Sequence, residues 1–161
     1  MWGDPTSIEK NTFKGCSKLT DISLPSSVTF IGESAFENCT NMSTVIIWGD
    51  ISRIEKNAFK NCTSLDDISI PSSCKMIEES AFQGCSDLDT VIIWGDTNIG
   101  NYAFQGCSNL EEISISSGTE YIGDYAFEGC TSLENVIMWG RSTKIGINAF
   151  KNCPKLKNPP R

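Results

Sequence analysis

Ala35-Phe36-Glu37-Asn38-Cys39 and Ala58-Phe59-Lys60-Asn61-Cys62 are two copies of the short stretch around which the chain is organised. Its phenylalanine recurs at Phe13, Phe36, Phe59, Phe82, Phe104, Phe127 and Phe150, in steps of 23, 23, 23, 22, 23 and 23 residues, each with a cysteine three residues on. A fixed period in the twenties is the mark of stacked supersecondary units, not of a globule built round one site. The 161 residues therefore read as a single domain, 1–161, of about seven repeats of 22–23 residues.

Outward from this stretch, the unit is complete from Leu19: Leu19-Thr20-Asp21-Ile22-Ser23-Leu24-Pro25, a variable loop, Ile31, a short polar run, then Ala35-Phe36 and Cys39. Apolar residues at the first, fourth and sixth positions of the segment predict a short strand with one buried face. Equivalent strands start at Met42, Leu65, Leu88, Leu110 and Leu133. The run from Glu33 to Asn38 is too short for an independent helix and is expected to form one helical or 3₁₀ turn held by packing.

The pattern L-x-x-I-x-I-P, then I-G, then A-F-x-x-C resembles the BspA-like class of leucine-rich repeats from about Trp2 to Leu156. The resemblance implies a right-handed solenoid with a parallel β-sheet on the concave side and short helical turns on the convex side. Two departures stand out. One loop residue is missing between Gly95 and Ile99, which gives the 22-residue step and which a loop absorbs easily. Pro159 and Pro160 fall inside a seventh strand that would begin at Leu156, so the sheet is expected to stop there. At the other end Met1-Trp2-Gly3 aligns with Met138-Trp139-Gly140. The chain is thus expected to begin inside a repeat, to carry no signal peptide and to be a piece of a longer array whose raw edges invite edge-to-edge self-association.

Composition excludes several classes. The charge of −7 offers no complementarity to nucleic acid or to an anionic membrane surface, and no window approaches the 18 apolar residues a membrane span needs. There is no histidine, hence no common general base, and no phosphate loop or nucleophile beside a base. The chain therefore reads as non-enzymatic, without cofactor. The acidic pairs Asp66-Asp67, Glu78-Glu79 and Glu111-Glu112 lack the pattern of a calcium loop, and no cysteines have the C-x-x-C spacing of zinc sites, so no metal is expected. Seven of the eight cysteines share one repeat column and cannot all pair with one another; they read as small buried hydrophobes. Cys74, which replaces Val28 of an equivalent loop, is expected to be partly buried and the most reactive thiol.

A second period of about 46 residues lies beneath the first. Trp2, Trp48, Trp94 and Trp139 recur in alternate units, whereas the units between carry Pro25, Pro71 and Ser116 in that column. If the fourth and sixth strand positions face the core, Ile46, Ile92 and Ile137 point outward where Ser23, Ser69 and Ser114 stand in the other units. Ile46, Trp48, Ile92, Trp94, Ile137 and Trp139 are the candidate contact strip, and Asp21, Asp67 and Glu112 the charges that would select a basic patch. A structural role is the alternative: Pro25, Trp48, Pro71 and Trp94 stacked across strands at the rim.

Three functional classes remain. The first is a protein-binding module using its concave face; the resemblance implies surface or adhesion proteins of host-associated microbes that contact host or neighbouring-cell proteins, with a cell-surface or secreted parent. The second is a cytoplasmic scaffold or inhibitor, which suits unpaired thiols. The third is a structural spacer within a larger protein.

Overall fold

The computed structural model describes residues 5–160. Ile8 forms an isolated parallel bridge with Ile31, and beyond Ile8 six successive repeats each supply one four-residue strand and one two-residue strand. In chain order these are β1 (Asp21–Leu24), β2 (Phe30–Ile31), β3 (Thr44–Ile47), β4 (Arg53–Ile54), β5 (Asp67–Ile70), β6 (Met76–Ile77), β7 (Thr90–Ile93), β8 (Asn98–Ile99), β9 (Glu112–Ile115), β10 (Tyr121–Ile122), β11 (Asn135–Met138) and β12 (Lys144–Ile145). All pair in parallel, and the chain is a repeat solenoid.

The long strands form the sheet face: β1 with β3, then β5-β7-β9-β11, the gap bridged by the Asp66 N–H donating to the Ser43 carbonyl at 3.2 Å. The short strands make a second, unbroken ladder from β2 to β12, with Ile31, Ile54, Ile77, Ile99 and Ile122 buried along it. The 22-residue step falls in the loop before β8, which still pairs with both neighbours. After β12 the Leu156 segment turns without forming a strand, as the two prolines behind it predict.

The stretch around each phenylalanine differs from expectation, for among the described residues there is no helix or 3₁₀ element. Residues two before and two after each phenylalanine have positive φ, as at Ser34 (55°) and Asn38 (62°), or Asn57 (57°) and Asn61 (58°). That geometry turns successive amides in opposite directions. Ala35, Glu37 and Cys39 N–H groups bond back within the repeat, whereas Ser34, Phe36 and Asn38 donate to Lys56, Ala58 and Lys60 of the next. The backbone thus satisfies its polar groups by bonding up the stack instead of along a helix axis. Asparagine and glycine suit the left-handed conformation, which accounts for the Asn or Gly just before each cysteine. Tyr102 (58°) and Tyr125 (56°) adopt it against their own preference, their rings stacked at 5.3 Å.

Inside, the seven phenylalanine rings form one column with centroids 5.1–5.3 Å apart and planes within 9° of parallel. Phe36, Phe59, Phe82, Phe104 and Phe127 are fully buried; Phe13 and Phe150 close the column half-buried. The cysteines do more than fill space. The thiols of Cys39, Cys62, Cys85, Cys107, Cys130 and Cys153 each donate to the phenylalanine carbonyl of the preceding repeat at 3.0–3.3 Å, and the same carbonyl accepts the N–H of its own repeat's cysteine. Cys74 is fully buried, and burial pushes its thiol up to about 11, so it is not the reactive cysteine; Cys16 is the exposed one. The column of Cys74 continues as Thr97, Thr119 and Thr143, whose hydroxyls donate to Cys74, Thr97 and Thr119 carbonyls at 2.7, 3.1 and 2.9 Å.

Two predictions follow from this core. Phe82→Ala opens a cavity in the middle of the column and should cost about 3–5 kcal/mol, and Phe150→Ala clearly less because the terminal ring is already half-exposed. Equal losses in urea unfolding of the two variants would contradict a stack stabilised by nearest neighbours. Burial also lifts the Cys85 thiol to about 12 and raises those of Cys62, Cys107 and Cys130, against about 9 in an unfolded chain. Because the folded state holds these protons longer, their contribution is complete below about pH 9 and is lost as pH rises toward the folded values, each thiol costing about 1.4 kcal/mol per pH unit. The urea midpoint should be flat from about pH 7 to about pH 8.5 and drop steeply by about pH 10.5. A midpoint unchanged at the upper end would mean that the thiols ionise freely in the folded chain.

Candidate functional site

Register on the sheet face is set by the parallel ladders. Ser23 lies opposite Ile46, Ser69 opposite Ile92 and Ser114 opposite Ile137, so serine and isoleucine alternate along one column. Asp21, Asp67 and Glu112 lie opposite Thr44, Thr90 and Asn135 in the column two residues earlier. Trp48, Trp94 and Trp139 follow β3, β7 and β11 directly, held by their N–H groups donating to Leu24, Ile70 and Ile115 carbonyls at 3.0–3.1 Å.

These side chains stand clear of the core. The three isoleucines are 38–43% exposed and the three tryptophans 67–71%. Among the described residues they are six of the seven exposed large apolar ones, the seventh, Ile147, lying in a turn after β12. Each indole leans over the preceding strand and its Nε1–H donates to a serine Oγ: Trp48 to Ser23, Trp94 to Ser69 and Trp139 to Ser114, at 2.8–2.9 Å. The serine that breaks the isoleucine column thus holds the indole in place. Trp2, the first member of the tryptophan series, lies outside the described residues.

The glycine after each tryptophan explains why two kinds of unit alternate. A Cβ on Gly49 would sit 2.5 Å from the Val28 carbonyl, and one on Gly95 2.5 Å from that of Ser72. The Trp-Gly corner of one unit nests against the backbone turn of the Pro-Ser-Ser unit before it, at a distance that admits no side chain.

The acidic column is broader than Asp21, Asp67 and Glu112 alone. All three are exposed, and Asp66, Asp89, Glu111 and Glu134 stand beside them at the strand entrances, also exposed. From Lys75 to Arg141 the chain has no intervening Lys or Arg but eleven carboxylates, and among the described residues the ion pair on this column is Lys155 with Glu134, at 3.9 Å. The Asp66 and Glu111 pairs were visible in the sequence as acidic doublets; what was missing was their place along one wall. Between the wall and the tryptophans lies a depression of about 480 Å³ lined by Asp89, Ile92, Trp94, Glu111, Glu112 and Ser114. A neighbouring one of about 660 Å³ runs from Asp66 and Asp67 past Ser69 to Ile92.

The chemistry available here is recognition. Exposed rings and carboxylates supply contact area and charge. The groups with displaced acidities lie elsewhere: the core thiols are shifted toward their neutral forms by burial, and Tyr121 by burial and then by the Glu78 and Glu120 carboxylates, whereas Glu37 is held below the usual carboxylate range, against the effect of burial, by its hydrogen bond to Ser34 and by Lys14. Among the described residues no three metal-ligating side chains converge, and no helix is long and apolar enough to cross a membrane.

The comparison with known proteins agrees with this geometry. No curated protein sequence matches the chain. The crystal structure of a Treponema pallidum leucine-rich repeat protein superposes with a TM-score of 0.84 at 30% identity, over 95% of this chain and 72% of that one. A leucine-rich repeat protein from Eubacterium ventriosum superposes with a TM-score of 0.77 at 25% identity, over 88% of this chain but only 39% of that one. The pneumococcal vaccine antigen PcpA shares the fold, with a TM-score of 0.59 at 20% identity over 94% of this chain and 52% of that one. The family model for the BspA type leucine rich repeat region matches in 6 copies over residues 4–108 and 97–159, and the chain belongs to that family.

Proposed function

We propose that the chain is a non-enzymatic protein-binding module whose contact strip is formed by Ile46, Ile92 and Ile137 with Trp48, Trp94 and Trp139. The observation that carries this reading is the segregation of exposed apolar residues: among the described residues, six of the seven large ones stand on the sheet face, over a core that fully buries the phenylalanines from Phe36 to Phe127. Aromatic anchors with few rotatable bonds, set beside charge, are the make-up of interface hot spots. Asp21, Asp67 and Glu112 would then choose a partner with a basic patch. An outward-facing role in a surface or adhesion protein is supported by membership of the family and by the fold shared with a vaccine antigen.

A cytoplasmic scaffold or inhibitor is the second reading, and its support is the eight free cysteines. Titration of thiols in the denatured, unreduced protein separates the two in one direction, because disulfides in the protein from its native source would favour export.

The strip is tested by the combined change Ile46→Ser, Ile92→Ser and Ile137→Ser. These positions pair with serines in the neighbouring strands, so circular dichroism and the unfolding midpoint should stay close to the parent's. Retention of partners from a surface-protein extract on the immobilised chain should fall about tenfold or more. Retention equal to that of the parent would place the contact elsewhere.

A further inference from the structure

We propose that the strip receives a cationic, proline-rich segment in the polyproline II conformation, lying along the solenoid axis across the strands; this rests on the protein-binding reading above. Three observations lead to it, and the first is period. Strands stand about 4.8 Å apart, so tryptophans in alternate repeats recur about every 9.6 Å. The phenylalanine column beneath them keeps that spacing regular, at 5.1–5.3 Å per repeat from end to end. A polyproline II helix returns the same face every three residues, about 9.3 Å. An extended strand does so about every 6.7 Å, and an α-helix about every 5.4 Å or, on every second turn, about 10.8 Å. Of these repeats, that of polyproline II falls nearest to the spacing of Trp48, Trp94 and Trp139.

The second observation is the state of the rings. Each indole N–H is already engaged by Ser23, Ser69 or Ser114, which fixes the ring while leaving about two-thirds of the residue exposed. What remains to offer is an apolar face, the surface on which pyrrolidine rings pack in aromatic-lined grooves. Such a ligand is ordered before it binds, so little entropy is lost on a shallow surface.

The third is charge. Four residues separate the tryptophan from the entrance of its strand, about 13 Å, with the isoleucine column midway as floor. The far wall over β5 to β11 is acidic and has no Lys or Arg of its own between Lys75 and Arg141. A segment repeating every three residues can turn prolines to Trp94 and Trp139 and its third side chain to Asp67, Asp89, Glu111 and Glu112. Arginine or lysine at that third position answers the carboxylates.

The experiment is a titration of the full chain by calorimetry with defined probes: a dodecapeptide repeating Pro-Pro-Arg, one repeating Gly-Ser-Arg with equal charge and no polyproline preference, one repeating Pro-Pro-Glu, and the neutral β-1,4-linked hexasaccharide of glucose. The Pro-Pro-Arg peptide should bind about tenfold tighter than Gly-Ser-Arg, and Pro-Pro-Glu should not bind. Trp94→Ala should weaken Pro-Pro-Arg about tenfold, and Glu111→Gln with Glu112→Gln should weaken it mainly at low salt. Both variants alter exposed side chains, and circular dichroism checks that each remains folded. Equal affinity for Pro-Pro-Arg and Gly-Ser-Arg would reduce the effect to charge alone and overturn the proposal. Tighter binding of the hexasaccharide would replace it with a glycan platform. If no peptide binds while capture of partners still depends on the three isoleucines, the polyproline assignment fails and the protein-binding reading stands. If capture is indifferent to them as well, both fail.

Discussion

The structure depends on one backbone contact, the N–H of each phenylalanine donating to the alanine carbonyl of the next repeat. From Phe13–Ala35 to Phe127–Ala149 these bonds measure 2.7–2.8 Å. They require the amide to point along the stack, and a left-handed residue on either side of the phenylalanine makes it do so. The side chains then follow. Alanine is small enough for the turns to approach, phenylalanine stacks on its copy about 5 Å away, and the cysteine thiol reaches the carbonyl the turn has left half-used. A valine or serine of similar size would lose either the S–H donor or the apolar bulk, so the thiol column is explained by both properties together.

That inner column leaves the opposite side of each unit free to vary, and its variation is constrained in pairs. Trp-Gly corners need a neighbouring turn that comes close, and Pro-Ser-Ser turns provide it. Tryptophan needs an acceptor for its N–H, and the serine of the strand before supplies one. A single unit cannot satisfy both demands, which is the physical content of the 46-residue period. The outer surface of the turns pairs adjacent units in a simpler way, with Lys10–Glu33, Lys14–Glu37 and Lys56–Glu79 ion pairs at 2.9–3.0 Å, in which only Glu37 is largely covered, contacts that fix register more than they stabilise.

Much of this was legible in the sequence, because period and alternation are properties of the sequence itself. The strand columns, the burial of phenylalanine and the outward isoleucines and tryptophans follow from counting. What counting missed depends on backbone direction. The run Glu33 to Asn38 holds helix formers, yet its amides bond to the next repeat, a long-range choice that local propensity does not contain. Cys74 looked like the odd thiol by sequence, but its place is set by the Thr97 and Thr119 ladder that continues its column, and that ladder is buried. The serine acceptors of the indoles were in view as the polar counterpart of isoleucine. Their role appears only when strands 25 residues apart in sequence lie side by side.

The same dependence links core and surface. Because the exposed residues are fixed to strands whose spacing is set by the buried column, the distance between tryptophans is a property of the phenylalanine stack and not of the face that carries them. A recognition surface on loops would adjust to its ligand and give up affinity in becoming ordered. Here the outward side chains sit on paired strands or directly after them, with the indoles tethered by serine, so a ligand of the proposed strip would meet a face whose period is already defined. Selectivity by repeat distance is what such a construction provides, and it needs no deep pocket: a ligand out of step at the second tryptophan has lost its contacts there, whatever it gained at the first.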